Sequence, residues 1–97
     1  DLNSYYDMVV TGNVIERKLN KEKYAAMQQG EQVKGMQQAG DMLSSFKMKT
    51  IIHLPRAAKS VSGARAELSA DKKTLTLNTT LADLFDAPEA FAYRVEY

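Results

Sequence analysis

Lysine and arginine side chains are concentrated in the middle of this sequence, which is otherwise close to electrical neutrality. The 97 residues carry a formal net charge of +1. The cationic residues of the middle segment are Lys47, Lys49, Arg56, Lys59 and Arg65. A local basic patch of this kind can bind the phosphates of nucleic acid or of phosphorylated glycans. The sequence therefore offers one charge-based candidate for a binding surface.

The same lysines also have a simpler explanation. Lysine on an exposed strand prevents edge-to-edge aggregation without binding any ligand. Surfaces that bind single-stranded nucleic acid usually present stacking aromatic side chains, whereas Phe91, Tyr93 and Tyr97 are predicted to face the core. The sequence favours the simpler explanation and argues against nucleic acid as a partner.

The residue types needed for catalysis or metal binding are sparse. His53 is the only histidine and cysteine is absent, which excludes disulfides, thiolate nucleophiles and cysteine-based zinc sites. Local spacing places no carboxylates beside His53 that would complete a metal site. Gly30, Gly35 and Gly40 lie on a predicted helix, so they form no phosphate-binding loop. We therefore predict no catalytic residues, no metal site and no cofactor, and interpret the protein as a non-enzyme.

A long helix is predicted over residues 21–45, with Asn20 as its N-cap. Met27 and Met36 lie on its apolar stripe. The three glycines weaken this helix by about 1 kcal/mol each relative to alanine. One interpretation is a flexible methionine-rich binding surface, because methionine adapts to varied partners; the favoured alternative is a weakly stable helix packed on a sheet. The candidate binding surface as a whole comprises Lys47, Lys49, His53, Arg56, Lys59, Arg65, Met27 and Met36.

The first dozen residues admit two interpretations. Apolar residues follow the i, i+3, i+4, i+7 spacing of an amphipathic helix at Leu2, Tyr5, Tyr6 and Val9. Gly12 then stands where a left-handed residue would end that helix. The alternative is a strand, since tyrosine, valine and threonine are good strand formers. We favour the helix because polar and apolar residues alternate poorly here.

From Lys47 onward the periodicity changes to two residues, which is typical of half-buried strands. The first of these strands ends at Pro55, which has no N–H for a ladder. An antiparallel hairpin is predicted over residues 64–79, with its turn at residues 71–73.

A short helix and a final strand are predicted to complete the chain. Thr80 caps the helix, and Asp83 takes the position of the acidic residue in a capping box. Pro88 ends the helix. The final strand places its larger apolar residues on one face, at Phe91, Tyr93, Val95 and Tyr97.

These elements predict one α+β domain spanning residues 1–97. We expect an antiparallel or mixed sheet of about four strands, with N-terminal helices packed on one face. No apolar run is long enough to cross a bilayer. The chain begins at Asp1 without an initiator methionine or a signal segment, so we expect it to be a trimmed part of a longer exported precursor.

Four short motifs follow one another in the second half of the chain. They are His53-Leu54-Pro55, Lys59-Ser60-Val61-Ser62, Asp71-Lys72-Lys73-Thr74-Leu75-Thr76, and Leu81-Ala82-Asp83-Leu84 before Pro88. In this order they resemble the C-terminal half of small exported bacterial lipoproteins of the Bacteroidetes type, loosely similar to the LppM type. The resemblance covers about half of the chain. Lys72 departs from the pattern, which has glycine at that position.

The resemblance implies a lipid-anchored protein of the cell envelope, in the periplasm or at the outer membrane, and offers no catalytic residues to carry over. Its partner would be an unknown protein or envelope component, and it would meet the membrane only through an anchor outside this sequence. We therefore expect a non-enzymatic binding or structural domain of unknown specific role. The alternatives are a nucleic-acid-binding α+β domain using the basic middle segment and a carrier of a small apolar ligand or lipid.

Overall fold

The computed structural model describes residues 5–30, 34–35 and 41–97. The strands in these ranges are β1 (Tyr6–Val10), β2 (Val14–Leu19), β3 (Lys47–His53), β4 (Ser60–Ser62), β5 (Ala66–Leu68), β6 (Thr74–Thr80) and β7 (Tyr93–Glu96). The helices are α1 (Lys21–Gln28), α2 (Asp41–Ser44) and α3 (Leu81–Asp86), followed by a 3₁₀-helix at Pro88–Phe91. None of the helices in these ranges is long and apolar enough to cross a membrane.

The strands form two antiparallel sheets. The four-stranded sheet has the order β1-β2-β7-β4, and the three-stranded sheet has the order β3-β6-β5. The α+β class and the antiparallel pairing are confirmed, but the strands divide between two sheets instead of forming one. Leu75 and Leu77 of β6 share a buried cluster with Tyr93 and Val95 of β7. The main core therefore lies between the two sheets.

A second, smaller core lies where the helices meet the four-stranded sheet. It contains Tyr6 of β1, Tyr24 of α1, Leu84 of α3 and Phe91 of the 3₁₀-helix. The Tyr24 hydroxyl donates to the carbonyl oxygen of Leu84 at 2.6 Å, which satisfies its polar tip inside this cluster. Helices from both halves of the chain thus contribute to this core, whereas N-terminal helices packed on one face of a single sheet were expected.

The prediction of a helix in the first dozen residues is wrong over the part that is described. Tyr6–Val10 is β1, and it pairs with β2 from Tyr6↔Leu19 to Val10↔Ile15. The physical reason is the consecutive β-branched pair Val9-Val10 at the end of the segment, which suits a pleated surface better than a helix. Polar and apolar residues alternate poorly in this segment because β1 is an outer strand. Leu2 lies outside the described residues.

The predicted long helix is also wrong in its extent. Asn20 is the N-cap as predicted, and its side-chain oxygen accepts from the Lys23 amide at 3.0 Å. However, α1 ends at Gln28, two residues before Gly30. The described helical residues after it are Lys34, Gly35 and those of α2 at Asp41–Ser44. Glycine lowers helix stability, so the helix ends where the first glycine follows. Val33, Met36 and Gly40 of the predicted stripe lie outside the described residues.

The second half of the chain follows the predicted pattern in most of its elements, but strand β4 was not predicted, and Phe91 lies in the 3₁₀-helix instead of the final strand. In β3, Met48, Thr50 and Ile52 are half-buried while the residues between them are exposed. Strands β5 and β6 form the predicted hairpin. The capping box at the start of α3 is present with both of its hydrogen bonds, between Thr80 and Asp83. The second half of the sequence therefore carries the information about the three-stranded sheet.

Lys72 adopts a left-handed conformation with a φ of 60°, at the position where the resemblance expects glycine. Lys72→Gly is expected to raise the free energy of unfolding by about 0.5–1 kcal/mol, because glycine adopts positive φ without the cost of a side chain. Urea unfolding measures this change. The matched control is Lys73→Gly, since Lys73 lies in the same turn with a negative φ and should lose stability. Equal losses in both variants would contradict the prediction.

Candidate functional site

The outer face of the three-stranded sheet brings two lysines beside the polar residues of β6. Lys47 pairs with Thr80, and Lys49 pairs with Asn78. Directly opposed residues of an antiparallel pair project to the same face, about 5 Å apart. Both lysines are exposed, so their side chains lie on the solvent side of the sheet, on the face that they share with Asn78.

An open depression of about 460 Å³ lies at this place; we call it the basic depression. Its lining residues are Lys47, Met48, Lys49, Arg65, Asn78, Thr79 and Thr80. Three of the seven are cationic and none is anionic. Strand order explains the grouping, because β3 lies on one side of β6 and the segment leading into β5 lies on the other. Three segments of the chain that lie 13 or more positions apart in sequence are thereby gathered around one surface.

Arg65 is held in place at the side of the basic depression. Its guanidinium donates to both carboxylate oxygens of Asp83, each at 3.2 Å, and to the carbonyl oxygen of Asn78 at 3.3 Å. A bidentate pair of this kind fixes the direction of the arginine plane. Asp83 balances the charge of Arg65. Arg65 therefore contributes mainly hydrogen-bond donors in a fixed orientation and little net charge.

Lys47 and Lys49 are different. The ion pairs within the described ranges are Lys23–Asp7 and Arg65–Asp83. Neither lysine of the basic depression has a carboxylate of the described residues within 4.0 Å. Each ammonium group offers three donors and no acceptor. The chemistry of the depression is thus that of a receptor for an oxygen-rich anion, with the Asn78 amide as a further donor.

The remaining predicted site residues are distributed over other parts of the molecule. His53 shares the outer face of β3 but lies at its far end and does not line the depression. Arg56 lies over the ring of Tyr97, 5.6 Å from its centroid, and the Lys59 amide donates to the carbonyl of Glu96. Met27 packs against the second core. Met36 lies outside the described residues.

A second depression gives a useful contrast. It has a volume of about 340 Å³ and lies beside β2, β7 and the residues after β4. Its charged lining residues are Glu16, Arg17, Lys18, Glu89 and Arg94. Because two carboxylates lie among these cations, it lacks the single sign of charge that distinguishes the basic depression.

Asp83 serves both the basic depression and the cap of α3. Its carboxylate accepts from the Thr80 amide at 2.7 Å, and its own amide donates to the Thr80 hydroxyl. Asp83→Ala removes this cap contact together with the partner of Arg65, so we expect the free energy of unfolding to fall by about 1–2 kcal/mol. Urea unfolding measures the loss. Asp86→Ala, on the same helix but exposed and outside the cap, should change stability by no more than about 0.5 kcal/mol; similar losses in both variants would argue against the double role.

Arg17 is a buried charged residue that was not predicted from the sequence. It lies on β2 with 7% of its surface exposed. Its Nε donates to the carbonyl oxygen of Phe91 at 2.7 Å, and Nη2 donates to the Thr50 hydroxyl at 3.2 Å. Three aromatic rings, of Tyr6, Phe91 and Tyr93, lie within 6.0 Å of its guanidinium carbon. Burial lowers the pKa of Arg17, while the nearby tyrosines act in the opposite direction.

Arg17 joins three parts of the fold. Its partners belong to the four-stranded sheet, to β3 of the other sheet and to the 3₁₀-helix. Arginine is weakly hydrated and stacks well on aromatic faces, so it is better suited than lysine to such a position. No sequence signal pointed to it, since an isolated arginine in an alternating strand is ordinarily exposed. We interpret Arg17 as a structural residue that fixes the sheets relative to each other.

Tyr6 is expected to make the free energy of unfolding depend on pH in the alkaline range. Its hydroxyl donates to the carbonyl oxygen of Pro88 at 2.7 Å. Burial, and to a lesser degree the neighbouring Tyr24, raises the pKa of Tyr6 from 10.0 to about 12. A proton held more tightly in the folded state stabilises it fully below the unfolded pKa, and this contribution is lost as the pH rises through the folded pKa. The relevant window is therefore pH 10 to about 12.

Tyr6→Phe tests this dependence. The variant is expected to lose about 1 kcal/mol at neutral pH, because the Pro88 carbonyl loses its donor. Above pH 10 the difference in the free energy of unfolding between the two proteins should shrink, because only the original protein has the Tyr6 hydroxyl that ionises. Urea unfolding at a series of alkaline pH values measures both free energies. A difference that stays constant up to the end of the window would contradict the prediction.

No protein-family model, curated protein or solved structure matches the chain significantly. Within the described ranges, no group of three or more histidine or acidic side chains is placed to hold a metal ion. The basic depression is thus the arrangement on which a functional proposal can be built.

Proposed function

We propose that this chain is a non-enzymatic binding domain of an exported bacterial lipoprotein, and that the basic depression binds an anionic group of a cell-envelope component. The single observation that carries the proposal is the gathering of Lys47, Lys49 and Arg65 around one depression with no acidic residue in its lining. The ligand class we infer is a phosphorylated glycan. Its phosphate would be placed between the two lysines, with Asn78 and Arg65 at its sides.

The dimensions of the basic depression support a small charged group as ligand. Its volume of about 460 Å³ lies within the usual range of sites for small molecules, roughly 300–1,000 Å³. The depression is open to solvent, so a sugar phosphate at the end or edge of a polymer would reach it without any movement of the sheet. Lysine binds phosphate as a point charge and tolerates varied geometry. We therefore expect modest affinity and strong dependence on salt.

The binding assay compares lipopolysaccharide with the same preparation after enzymatic removal of its phosphates. We expect the protein to bind the phosphorylated form at low salt and to lose most of that binding when the phosphates are removed. Equal binding to both forms would contradict the proposal, because the lysines would then contribute nothing specific to phosphate. A short single-stranded oligonucleotide is measured beside them as the competing class of anion.

The envelope location rests on the resemblance of the C-terminal half to exported lipoproteins. The sequence of the full precursor tests it directly. A signal peptide ending in a lipobox cysteine would support a lipid-anchored protein in the periplasm or at the outer membrane. A precursor with neither feature would contradict it, while leaving the binding assay above unaffected.

Nucleic acid is the second candidate partner, and one observation favours it. Phe46, which directly precedes Lys47, is 56% exposed. An exposed aromatic ring beside lysines is the combination that binds single-stranded nucleic acid by stacking and charge. Phe46→Ala should then weaken oligonucleotide binding while leaving glycan binding unchanged. Oligonucleotide binding that is tighter than glycan binding at the same salt would favour this candidate over the first.

The third expectation, a carrier of a small apolar ligand or lipid, remains a prediction. Both depressions described above are lined largely by polar and charged residues. Native mass spectrometry of the purified protein tests the expectation, since a carrier should retain a bound lipid. A spectrum with the mass of the unliganded chain alone would count against it.

A further inference from the structure

Strand β3 is an outer strand of the three-stranded sheet, and among the described strands it pairs with β6 alone. Hydrogen bonds just beyond its two ends show which residues face the other edge. The Leu81 amide donates to the Phe46 carbonyl, and the Leu54 amide donates to the Lys73 carbonyl. Because hydrogen-bonded pairs alternate along an antiparallel ladder, the even-numbered residues of β3 bond to β6. The N–H and C=O groups of its odd-numbered residues therefore point away from β6.

These odd-numbered residues form what we call the open edge of β3. They are Lys47, Lys49, Ile51 and His53, and all four are exposed, Ile51 to 52%. The even-numbered residues between them are half-buried and face the other sheet. The open edge thus presents a row of backbone donors and acceptors with two lysines beside it.

The four-stranded sheet extends beyond this edge. Arg17 of β2 donates to the Thr50 hydroxyl of β3, which places β2 over β3. β1 is the next strand outward from β2, whereas the three-stranded sheet has no further described strand in that direction. Met8 lies opposite Arg17 on the same face and is 46% exposed, and Val10 is 66% exposed. Two apolar side chains of the inner face are therefore left uncovered above the open edge of β3.

We propose that the open edge of β3 accepts an extended acidic segment of a partner protein as a further antiparallel strand. The segment alternates between apolar and acidic residues. Its apolar side chains lie on the inner face beneath Met8 and Val10, and its carboxylates lie on the outer face beside Lys47 and Lys49. The three-stranded sheet thereby gains a strand opposite β1.

Backbone, apolar surface and charge together favour this occupant. A row of unpaired N–H and C=O groups at strand spacing is matched by another extended backbone and not by a phosphate or a nucleic-acid base. The uncovered Met8 and Val10 match apolar side chains at every second position of that strand. The open edge carries two lysines and no carboxylate, so a second copy of β3 would add like charges, which oppose pairing. Carboxylates on the partner convert this repulsion into attraction.

A synthetic peptide, acetyl-Glu-Val-Thr-Val-Glu-Val-Glu-amide, is the probe. Paired antiparallel with β3, it places one glutamate opposite Lys47, another opposite Lys49, and its threonine opposite Ile51. Isothermal titration calorimetry at low salt should show binding at least about tenfold tighter than for the same peptide with lysine in place of each glutamate. Equal affinities, or no binding of the acidic peptide, would overturn the proposal.

N-methylation of the acidic peptide separates strand pairing from attraction of charge. In the proposed register the threonine N–H donates to the Ile51 carbonyl, whereas the N–H of the central valine points away from β3. A methyl group on the threonine nitrogen should weaken binding by at least about tenfold, because it removes this donor and blocks close approach. The same group on the central valine nitrogen should weaken binding by less than about threefold. Equal effects at the two positions would mean that the peptide does not pair with this edge.

Ile51→Pro makes the matching change in the protein. Proline is tolerated where the N–H of an edge strand faces solvent, so the variant should fold, as circular dichroism checks, yet lose binding of the acidic peptide. Ile51→Thr keeps the N–H and should retain that binding. Because Ile51 does not line the basic depression, Ile51→Pro should still bind phosphorylated lipopolysaccharide, which separates this proposal from the proposed function. Undiminished peptide binding by folded Ile51→Pro contradicts the inference, and the N-methylated peptides decide the question if this variant does not fold.

Discussion

Arg17→Ala is expected to lower the free energy of unfolding by about 3 kcal/mol, a large fraction of the stability of a domain of this size. The substitution leaves the buried Phe91 carbonyl without its donor, which costs about 1–3 kcal/mol. It also leaves a cavity between aromatic rings and removes their contact with the cation. Relief of the desolvation of the guanidinium offsets part of these losses. Urea unfolding monitored by circular dichroism measures the net change.

Arg17→Met separates the two causes. Methionine fills most of the volume between the rings but restores no hydrogen bond, so we expect a smaller loss of about 1–2 kcal/mol. The difference between the two variants then reports the cavity and the ring contacts. If Arg17→Ala were as stable as the original protein, Arg17 would not fix the two sheets relative to each other as we have inferred.

The second large effect concerns binding. Lys47→Ala/Lys49→Ala is expected to weaken binding of phosphorylated lipopolysaccharide by about tenfold to hundredfold at low salt, because two charge-assisted contacts to phosphate are lost. Both side chains are exposed, so the stability of the fold should change little. Isothermal titration calorimetry measures the affinity.

Lys18→Ala/Lys21→Ala is the matched control. It removes the same net charge from exposed positions on β2 and α1. If long-range charge alone attracted the ligand, both double variants would lose affinity equally. A selective loss in the first variant, together with a weaker dependence of its binding on salt, is the result that supports a localised site.

The three-stranded sheet could largely be predicted from the second half of the sequence, because the local signals for β3, β5 and β6 agree with the tertiary structure. Pro55 lies just after β3, the turn at residues 71–73 joins β5 to β6, and Thr80 caps α3. Local signals of this kind act over a few residues and need no knowledge of the rest of the fold. Lys72 stands where the lipoprotein pattern has glycine, and its positive φ shows that the turn has the geometry for which glycine is usual.

The first half could not be predicted in the same way. The apolar spacing around Tyr5, Tyr6 and Val9 fits a helix by chance, since β1 lies at an edge where Met8 and Val10 are exposed. Pairing with β2 decides that this segment forms a strand and not a helix. Such pairing depends on the tertiary structure and cannot be inferred from the spacing of apolar residues alone. The division into two sheets also depends on long-range strand pairing. β7 pairs with β2 and β4, while β6 pairs with β3 and β5.

The candidate site was predicted in part. Lys47, Lys49 and Arg65 were singled out for their charge, and the sheet brings these three together around the basic depression. His53, Arg56 and Lys59, singled out for the same segment, do not line it. Position in the sequence alone could not show which of these six residues line the depression. That depends on the pairing of β3 with β6, which brings Asn78 and Thr80 to the same place.

The most direct test of the proposed binding site is a titration of the isotopically labelled protein with phosphorylated lipopolysaccharide fragments, followed by the backbone amide signals in nuclear magnetic resonance spectra. We predict that the signals that shift most belong to Lys47, Lys49, Arg65, Asn78 and Thr80. The mixed-charge depression at Glu16 and Arg94 serves as the internal control and should remain unchanged. Shifts centred on that second depression, or no shifts at low salt, would contradict the account.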